Sequence, residues 1–293
     1  MALYEASVRT HRFDWGHYLR LTAFLGPAAL YAILFIVVPY TNLFAYSFWK
    51  TENYATIRDF SLDNFARILR SATYLSVIGN SLLVAGIVTL CAVLLGYALA
   101  FYVAFFTGPR RQILYFLMVI PLWTSFLLRA FIWRIILGRE GVINSGLAWL
   151  GVADEPISLL LFNRFSVCVA LTYVFIPFVA IPVYTALEKI PRETLEASMD
   201  LGASPAFTLW RVILPLSLPG VIAGATFTFC LSFGDFVAPA LLGGPSGIMI
   251  SSIIINQFGT AFDWPFGSAL AIVVIVVIGL AVALARWAER RYE

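Results

Sequence analysis

An all-helical integral membrane protein with six transmembrane helices is the fold class this sequence predicts, and three observations predict it. Of 293 residues, 61% are hydrophobic and 12% charged, with a mean hydropathy of +0.90. A soluble domain has nowhere to hide that much apolar surface, whereas lipid accepts it. Six segments reach the roughly 20 apolar residues that a helix needs to cross a bilayer. The basic residues between them are denser on one side.

The spans are Leu21–Phe48, Tyr74–Phe106, Gln112–Leu137, Phe165–Leu187, Leu218–Leu242 and Gly267–Ala285. The first follows Arg9, Arg12 and Arg20. It is too long for a signal-peptide core and no small-residue cleavage site follows it, so it reads as a retained helix behind a tail of residues 1–20. With that tail inside, Arg9, Arg12, Arg20, Arg110, Arg111, Lys189, Arg192, Arg211, Arg286, Arg290 and Arg291 are cytoplasmic, eleven in all. Six basic residues (Lys50, Arg58, Arg67, Arg70, Arg139, Arg164) lie opposite. The bias favours both termini in the cytoplasm, together with the loop of residues 188–217 between spans four and five.

The net charge of +3 comes from scattered residues, which excludes a nucleic-acid partner. Cys91, Cys168 and Cys230 sit inside apolar runs and read as buried free thiols, and His11 and His17 lie in the tail, so no metal site is expected. In the outer loops, "INSGLAWLG" reads as a short helix capped by Asn144 or Ser145. "IMISSIIINQFGTAFDWPFG" is too short to cross again and reads as a re-entrant or surface helix closing at Pro265. These loops either meet an extracytoplasmic partner or cover helix ends.

The informative polar stretch is "LEASMDLGASPAFTLWRVILPLSLPG", Leu195 to Gly220. Pro191 can open a helix at its first position and Gly202 is placed to end it in a left-handed cap. Ser204 and Pro205 form an N-cap and N1 pair, and Pro215 and Pro219 limit the second helix, predicting a bent foot rather than a span. Leu195 and Met199 share one face of the first helix, and Glu196 and Asp200 another. Fixed carboxylates beside an apolar edge suit a groove on a soluble partner, whereas helices that lie on headgroups favour Lys and Arg.

The stretch "EASMDLGASPAFTLWRVILP" resembles the EAA loop of ABC-importer permeases: Glu-Ala-Ala, three residues, Gly, nine residues, then Ile-x-Leu-Pro. Glu196, Ala197, Gly202, Leu214 and Pro215 match, while Ser198 replaces an Ala and Val212 the Ile. The resemblance implies a type I permease fold in a bacterial inner membrane, with a five-helix core over residues 74–286 and the first span added. It also implies that the foot, with Glu196, Ala197, Ser198, Asp200, Gly202, Leu214 and Pro215, docks on a cytoplasmic ATPase. The implied partners are two copies of that ATPase, which hold ATP and magnesium, a homologous second permease and a periplasmic substrate-binding protein. "LLGGP" (Leu241 to Pro245), "DWPFG" (Asp263 to Gly267) and "AWLG" (Ala148 to Gly151) resemble the spermidine/putrescine branch. Other permeases of this kind carry opines, thiamine, iron or anions.

No catalytic site and no cofactor are expected on this chain. Its two lysines, Lys50 in "SFWKTE" and Lys189 in "ALEKIP", are in no phosphate-cradling GxxxxGK[ST] loop. A secondary transporter, the runner-up, needs ionisable groups near the midplane. At ~1.5 Å per residue, Asp235 lies roughly 26 Å above Leu218 in a core about 30 Å thick, and Arg129 reaches a similar depth, both near the outer mouth. Asp235 either pairs with Arg129 or Arg134 or attracts a cation at the entrance. Trp123, Tyr173 and Phe229 fall near the midplane, two of them beside Pro121 and Pro177, as aromatics that pack helices or hold an ammonium.

Overall fold

The computed structural model describes residues 15–53, 55–152, 155–157 and 160–291, with side chains from residue 23 onward. The predicted tail lies outside the described residues through residue 14, with Arg9, His11 and Arg12. The chain divides into two units, Met1–Tyr46 and Ser47–Glu293.

The first unit is helical: α1 (Trp15–Ala32), a π turn (Ile33–Val37) and most of α2 (Val38–Ser47). Its apolar side chains, Phe24 and Phe35 among them, stay exposed, as lipid-facing positions do. The π turn ends two residues before Pro39, which has no N–H to give, and a widened turn lets the helix pass the missing bond.

The second unit is a bundle centred on α4 (Ala72–Phe105), α8 (Arg164–Glu188) and α11 (Leu214–Phe233), which pack on one another. Helices α5 (Arg111–Val119) and α6 (Phe126–Ile136) lie against α8, and α12 (Ile250–Gly259) and α13 (Trp264–Glu289) lie on the other side, against α4 and α11. Val84, Val88, Leu171 and Leu242 anchor one apolar cluster, Ala180, Val183, Tyr184 and Ile213 a second, and Phe233, Phe266 and Leu270 a third. The helix α7 (Val142–Trp149) forms where "INSGLAWLG" predicts it. Its N-cap is Gly141, however, and Asn144 is buried, donating to the Gly138 carbonyl and accepting from the Ile157 N–H. The residue predicted as a cap instead ties the loop to the end of α6.

Five described helices are long and apolar enough to cross a membrane: Ala23–Ser47, Ala72–Phe105, Arg164–Glu188, Pro205–Phe233 and Trp264–Glu289. The predicted third span is not one helix. It breaks between Trp123 and Phe126 and bends by 92°. Pro121 cannot donate to the Leu117 carbonyl, the chain tightens into a 3-10 turn over Ile120–Trp123, and Thr124 and Ser125 turn extended.

The fifth span also differs from its predicted bounds. It starts at Pro205 and ends at Phe233, passing through Pro215 and Pro219. The first unit's device recurs: a π turn, Leu209–Ile213, ends two residues before Pro215, and the Leu214 N–H reaches back to the Leu209 carbonyl. Pro265 opens α13 instead of closing the helix before it.

A turn of helix and a hairpin that sequence periodicity does not announce fill the loop after the first span. Strands β1 (Lys50–Glu52) and β2 (Ala55–Ile57) pair antiparallel, and α3 (Asp63–Arg70) follows. Asp263 of the "DWPFG" stretch joins them to the last span. Its carboxylate caps α13 at the Phe266 N–H, accepts from Thr51 Oγ1 at 2.7 Å and meets Arg67 Nη1 at 3.2 Å, while the Arg67 guanidinium lies 4.0 Å from the Phe266 ring centroid. Three elements distant in sequence therefore share one acidic node.

Candidate functional site

The foot is built by short-range rules. Pro191 is the N-cap of α9 (Arg192–Asp200), one position earlier than predicted, and its fixed φ sets the entry angle. Gly202 ends the helix at φ +83°: its N–H reaches the Met199 carbonyl and the Ala203 N–H the Ser198 carbonyl, the paired bonds of a glycine C-cap. Ser204 Oγ then accepts from the Phe207 N–H and opens α10 (Pro205–Thr208), which runs through the π turn into α11. The two helices thus meet at Gly202 as expected. The second is the leading end of a span and not a separate short helix, because the π turn absorbs the prolines.

The expected faces separate. Leu195 packs with Leu187, Ile190 and Ile213 in the second apolar cluster, holding α9 against the bundle, while Met199 turns outward with Phe207 and with Leu201, which is 89% exposed. Glu193, Glu196, Ala197 and Asp200 are exposed, giving an acidic rim around an apolar tip. Ser198 hydroxyl and Thr208 hydroxyl lie 3.0 Å apart across the turn and fix its angle. Leu214 and Pro215 lie half-buried in the first turn of α11, away from that tip. Beside the foot, Arg111 of α5 bonds Glu188 at the end of α8 at 3.2 Å and lies 5.0 Å from the Tyr184 ring centroid. This contact, which sequence reasoning did not single out, fastens the foot end of the broken span to α8.

The aromatic candidates do not converge. Tyr173 lines a cleft of about 340 Å³ with Pro121, Pro177, Tyr102 and Met118, and packs edge-on to Trp133 with centroids 5.6 Å apart. Trp123 stands at the break in the third span, exposed, its ring 5.3 Å from Phe116. Phe229 stacks on Phe233 at 5.9 Å and packs in the third cluster, on the α13 side.

Asp235 lies two residues beyond the end of α11, is 9% exposed, and accepts from the Ala238 N–H at 2.8 Å. The predicted pair with Arg129 or Arg134 is not formed, since Asp235 is in none of the ion pairs among the described residues. Arg129 is 8% exposed and its Nη1 donates to the Val174 carbonyl at 3.4 Å, while Arg134 lies over Phe162. The bend in the third span turns α6 across α8, which removes both arginines from the straight course that the depth arithmetic assumed.

No group of three or more potential metal ligands occurs among the described residues.

Comparison with known proteins gives one consistent answer. Residues 92–293 match the family described as "binding-protein-dependent transport system inner membrane component". The chain is 37% identical over 249 residues, 85% of its length and 86% of the relative's, to the spermidine/putrescine transport system permease protein PotB of Salmonella typhimurium. It is 36% identical to PotB of Escherichia coli K12 over 88% of its length and 94% of the relative's. Among solved structures, a chain of a bacterial ABC transporter that imports the acidic polysaccharide alginate superposes with a TM-score of 0.80 at 20% identity, covering 95% of this chain and 97% of that one.

Proposed function

Because the chain belongs to the family of binding-protein-dependent transport system inner membrane components, we propose that it is a permease subunit of an ABC importer for the polyamines spermidine and putrescine. It is an inner-membrane transport component by that membership, and its reading as a subunit that leaves ATP hydrolysis to a partner is in keeping with it. The observation that carries the polyamine reading is the identity to the spermidine/putrescine permease, above one third across 85% of the chain.

In this reading the foot end is cytoplasmic, and the exposed tip of α9 docks on one of two ATPase subunits that hold ATP and magnesium. Glu196, Ala197, Ser198, Asp200 and Gly202 form that contact, and Leu214 and Pro215 carry it into α11. Ser198, which departs from the family's Ala, supports a stiff foot through its bond to Thr208. ATPase closure pushes α9, and because α10 and α11 are one helix, the push passes straight into the bundle and shifts it between inward- and outward-facing states. A homologous permease completes the pathway, and a periplasmic binding protein delivers the substrate. Tyr173 and Trp123 lie at the cleft and at the break, where a pathway would touch them. Phe229 serves packing. Asp235, the one buried carboxylate among the described residues, draws the cationic substrate to the entrance.

The test is ATP-driven uptake of labelled spermidine by the complex reconstituted with its ATPase, second permease and binding protein. Uptake competed by putrescine is expected. A binding protein that ignores polyamines and delivers another solute would overturn the assignment. Asp235→Asn sharpens it, since the amide oxygen can still accept from Ala238 and the folded yield should hold. Uptake at limiting substrate is expected to fall about fivefold, the equivalent of ~1 kcal/mol of lost attraction. Unchanged uptake at full yield removes Asp235 from the pathway.

A further inference from the structure

We propose that the groove between α4 and the foot end of α11 is a binding site for an anionic phospholipid, with its acyl chain in the groove and its phosphate on Arg211. The site rests on membrane residence and on this chain's own residues, and so goes beyond the transport reading above.

The groove holds about 380 Å³, and its walls are apolar: Val93, Tyr97 and Phe101 of α4 face Leu209 and Trp210 of the π turn and Leu214 of α11. The Tyr97 hydroxyl lies 3.1 Å from the Ser217 hydroxyl, so it is satisfied within the bundle and the groove suits hydrocarbon. At ~1.5 Å per residue, the wall on α4 lies about 6 to 18 Å from the end of that helix at Phe105. Arg110 and Arg111 follow that end, which puts it near the edge of a hydrocarbon core about 30 Å thick. The groove therefore spans the leaflet on the foot side. Leu94 in its wall and Leu90 one turn on are both exposed, so it opens on a lipid-facing side of α4. An apolar groove at this depth takes up the hydrocarbon that surrounds it. Lipid tails are as apolar as leucine, so the chain gains little by entering, and the headgroup decides which lipid stays.

Charge picks the headgroup. Trp210 is 67% exposed at the foot end of the groove, where aromatic side chains mark the level of the headgroups. Arg211 beside it is exposed, is in none of the ion pairs among the described residues, and lies 6.0 Å from the Phe207 ring centroid, one turn nearer the foot. Side chains lean toward the N-terminus of their helix, so the guanidinium reaches from the groove toward the water, where phosphates lie. Its planar fork matches phosphate oxygens. A phospholipid seated there packs against Leu209 and Trp210, inside the widened turn that joins the foot to α11.

The full chain, purified in a mild detergent, is incubated with dioleoyl phosphatidylglycerol or dioleoyl phosphatidylcholine, and bound lipid is counted by native mass spectrometry. Phosphatidylglycerol is expected to bind about fivefold more tightly, the equivalent of ~1 kcal/mol for one basic residue at an anionic headgroup. Arg211→Gln should bring it down to the phosphatidylcholine level. Ala98→Trp, which fills the groove from α4, should weaken both lipids. Glycerol phosphate, a headgroup without chains, should displace neither. A phosphatidylglycerol with a diazirine in its acyl chain maps the site on the parent, so the answer does not depend on either variant folding, and label is expected on residues 93–101 and 209–221. Equal binding of the two lipids overturns the proposal. So does displacement by glycerol phosphate, or a response to Arg211→Gln with none to Ala98→Trp, either of which reduces the site to a surface charge. Label confined to other residues, as when the first span or a partner's helix fills the groove, overturns it too.

Discussion

Replacing Gly202 by tryptophan is expected to leave the chain folded in the membrane while abolishing coupled uptake. The residue sits at φ +83°, where a side chain costs about 1–2 kcal/mol, so Gly202→Ala carries strain alone. A Cβ at Gly202 meets nothing within 4 Å in this chain. The tryptophan ring therefore enters open space at the tip that also exposes Met199, Leu201 and Phe207. Uptake in reconstituted vesicles should fall far more in Gly202→Trp than in Gly202→Ala. The alanine variant should lose no more than roughly thirtyfold, the equivalent of its strain at the upper end. Both variants should keep the parent's helical circular dichroism. Normal uptake in Gly202→Trp would mean that the foot is not the docking element.

The foot was legible in the sequence because its shape depends on neighbours. Pro191, Gly202, Ser204 and Pro205 act through bonds that span three to five residues, and the structure forms those bonds at or within one position of where local rules put them. Membrane residence was equally legible, since it follows from composition. What could not be read was the course of helices through proline. Pro121, Pro215 and Pro219 give the same local signal, yet the chain breaks by 92° at the first and runs on through the other two. The difference lies in the widened turn at Leu209–Ile213 and in the burial of Ile213, which are set by packing and leave no mark in spacing.

Side-chain partnership over long separations was hidden for the same reason. Asp235 and the two arginines had the right chemistry and a plausible depth, and the depth failed once the third span bent. The node at Asp263 with Thr51 and Arg67 joins residues about 200 positions apart, and only the "DWPFG" stretch marked one end of it. Periodicity finds faces of helices, but not which faces meet.

One meeting of faces did leave a signal. Gly220 and Gly224 stand four apart on α11, the spacing by which membrane helices approach closely through small residues. A Cβ at Gly220 would lie 2.6 Å from the Pro182 carbonyl oxygen and 2.8 Å from Ala186 Cβ, and one at Gly224 would lie 2.8 Å from Val179 Cα. From the other side, a Cβ at Gly96 on α4 would lie 3.0 Å from Val179 Cβ. Val179 is thus wedged between two glycine-bearing helices, and the nearest atoms are largely backbone, which cannot swing aside. Leucine at either position of α11 must push α11 off α8. The expected cost is about 1–3 kcal/mol for overpacking and more if the pair separates, seen as loss of folded, monodisperse protein and an earlier thermal transition in detergent. Gly86→Leu, on α4 with nothing within 4 Å of its Cβ, should keep the parent's yield and transition. If Gly224→Leu melts with the parent, the close approach of α8 and α11 is not what holds the bundle, and the foot's push has no stiff path into it.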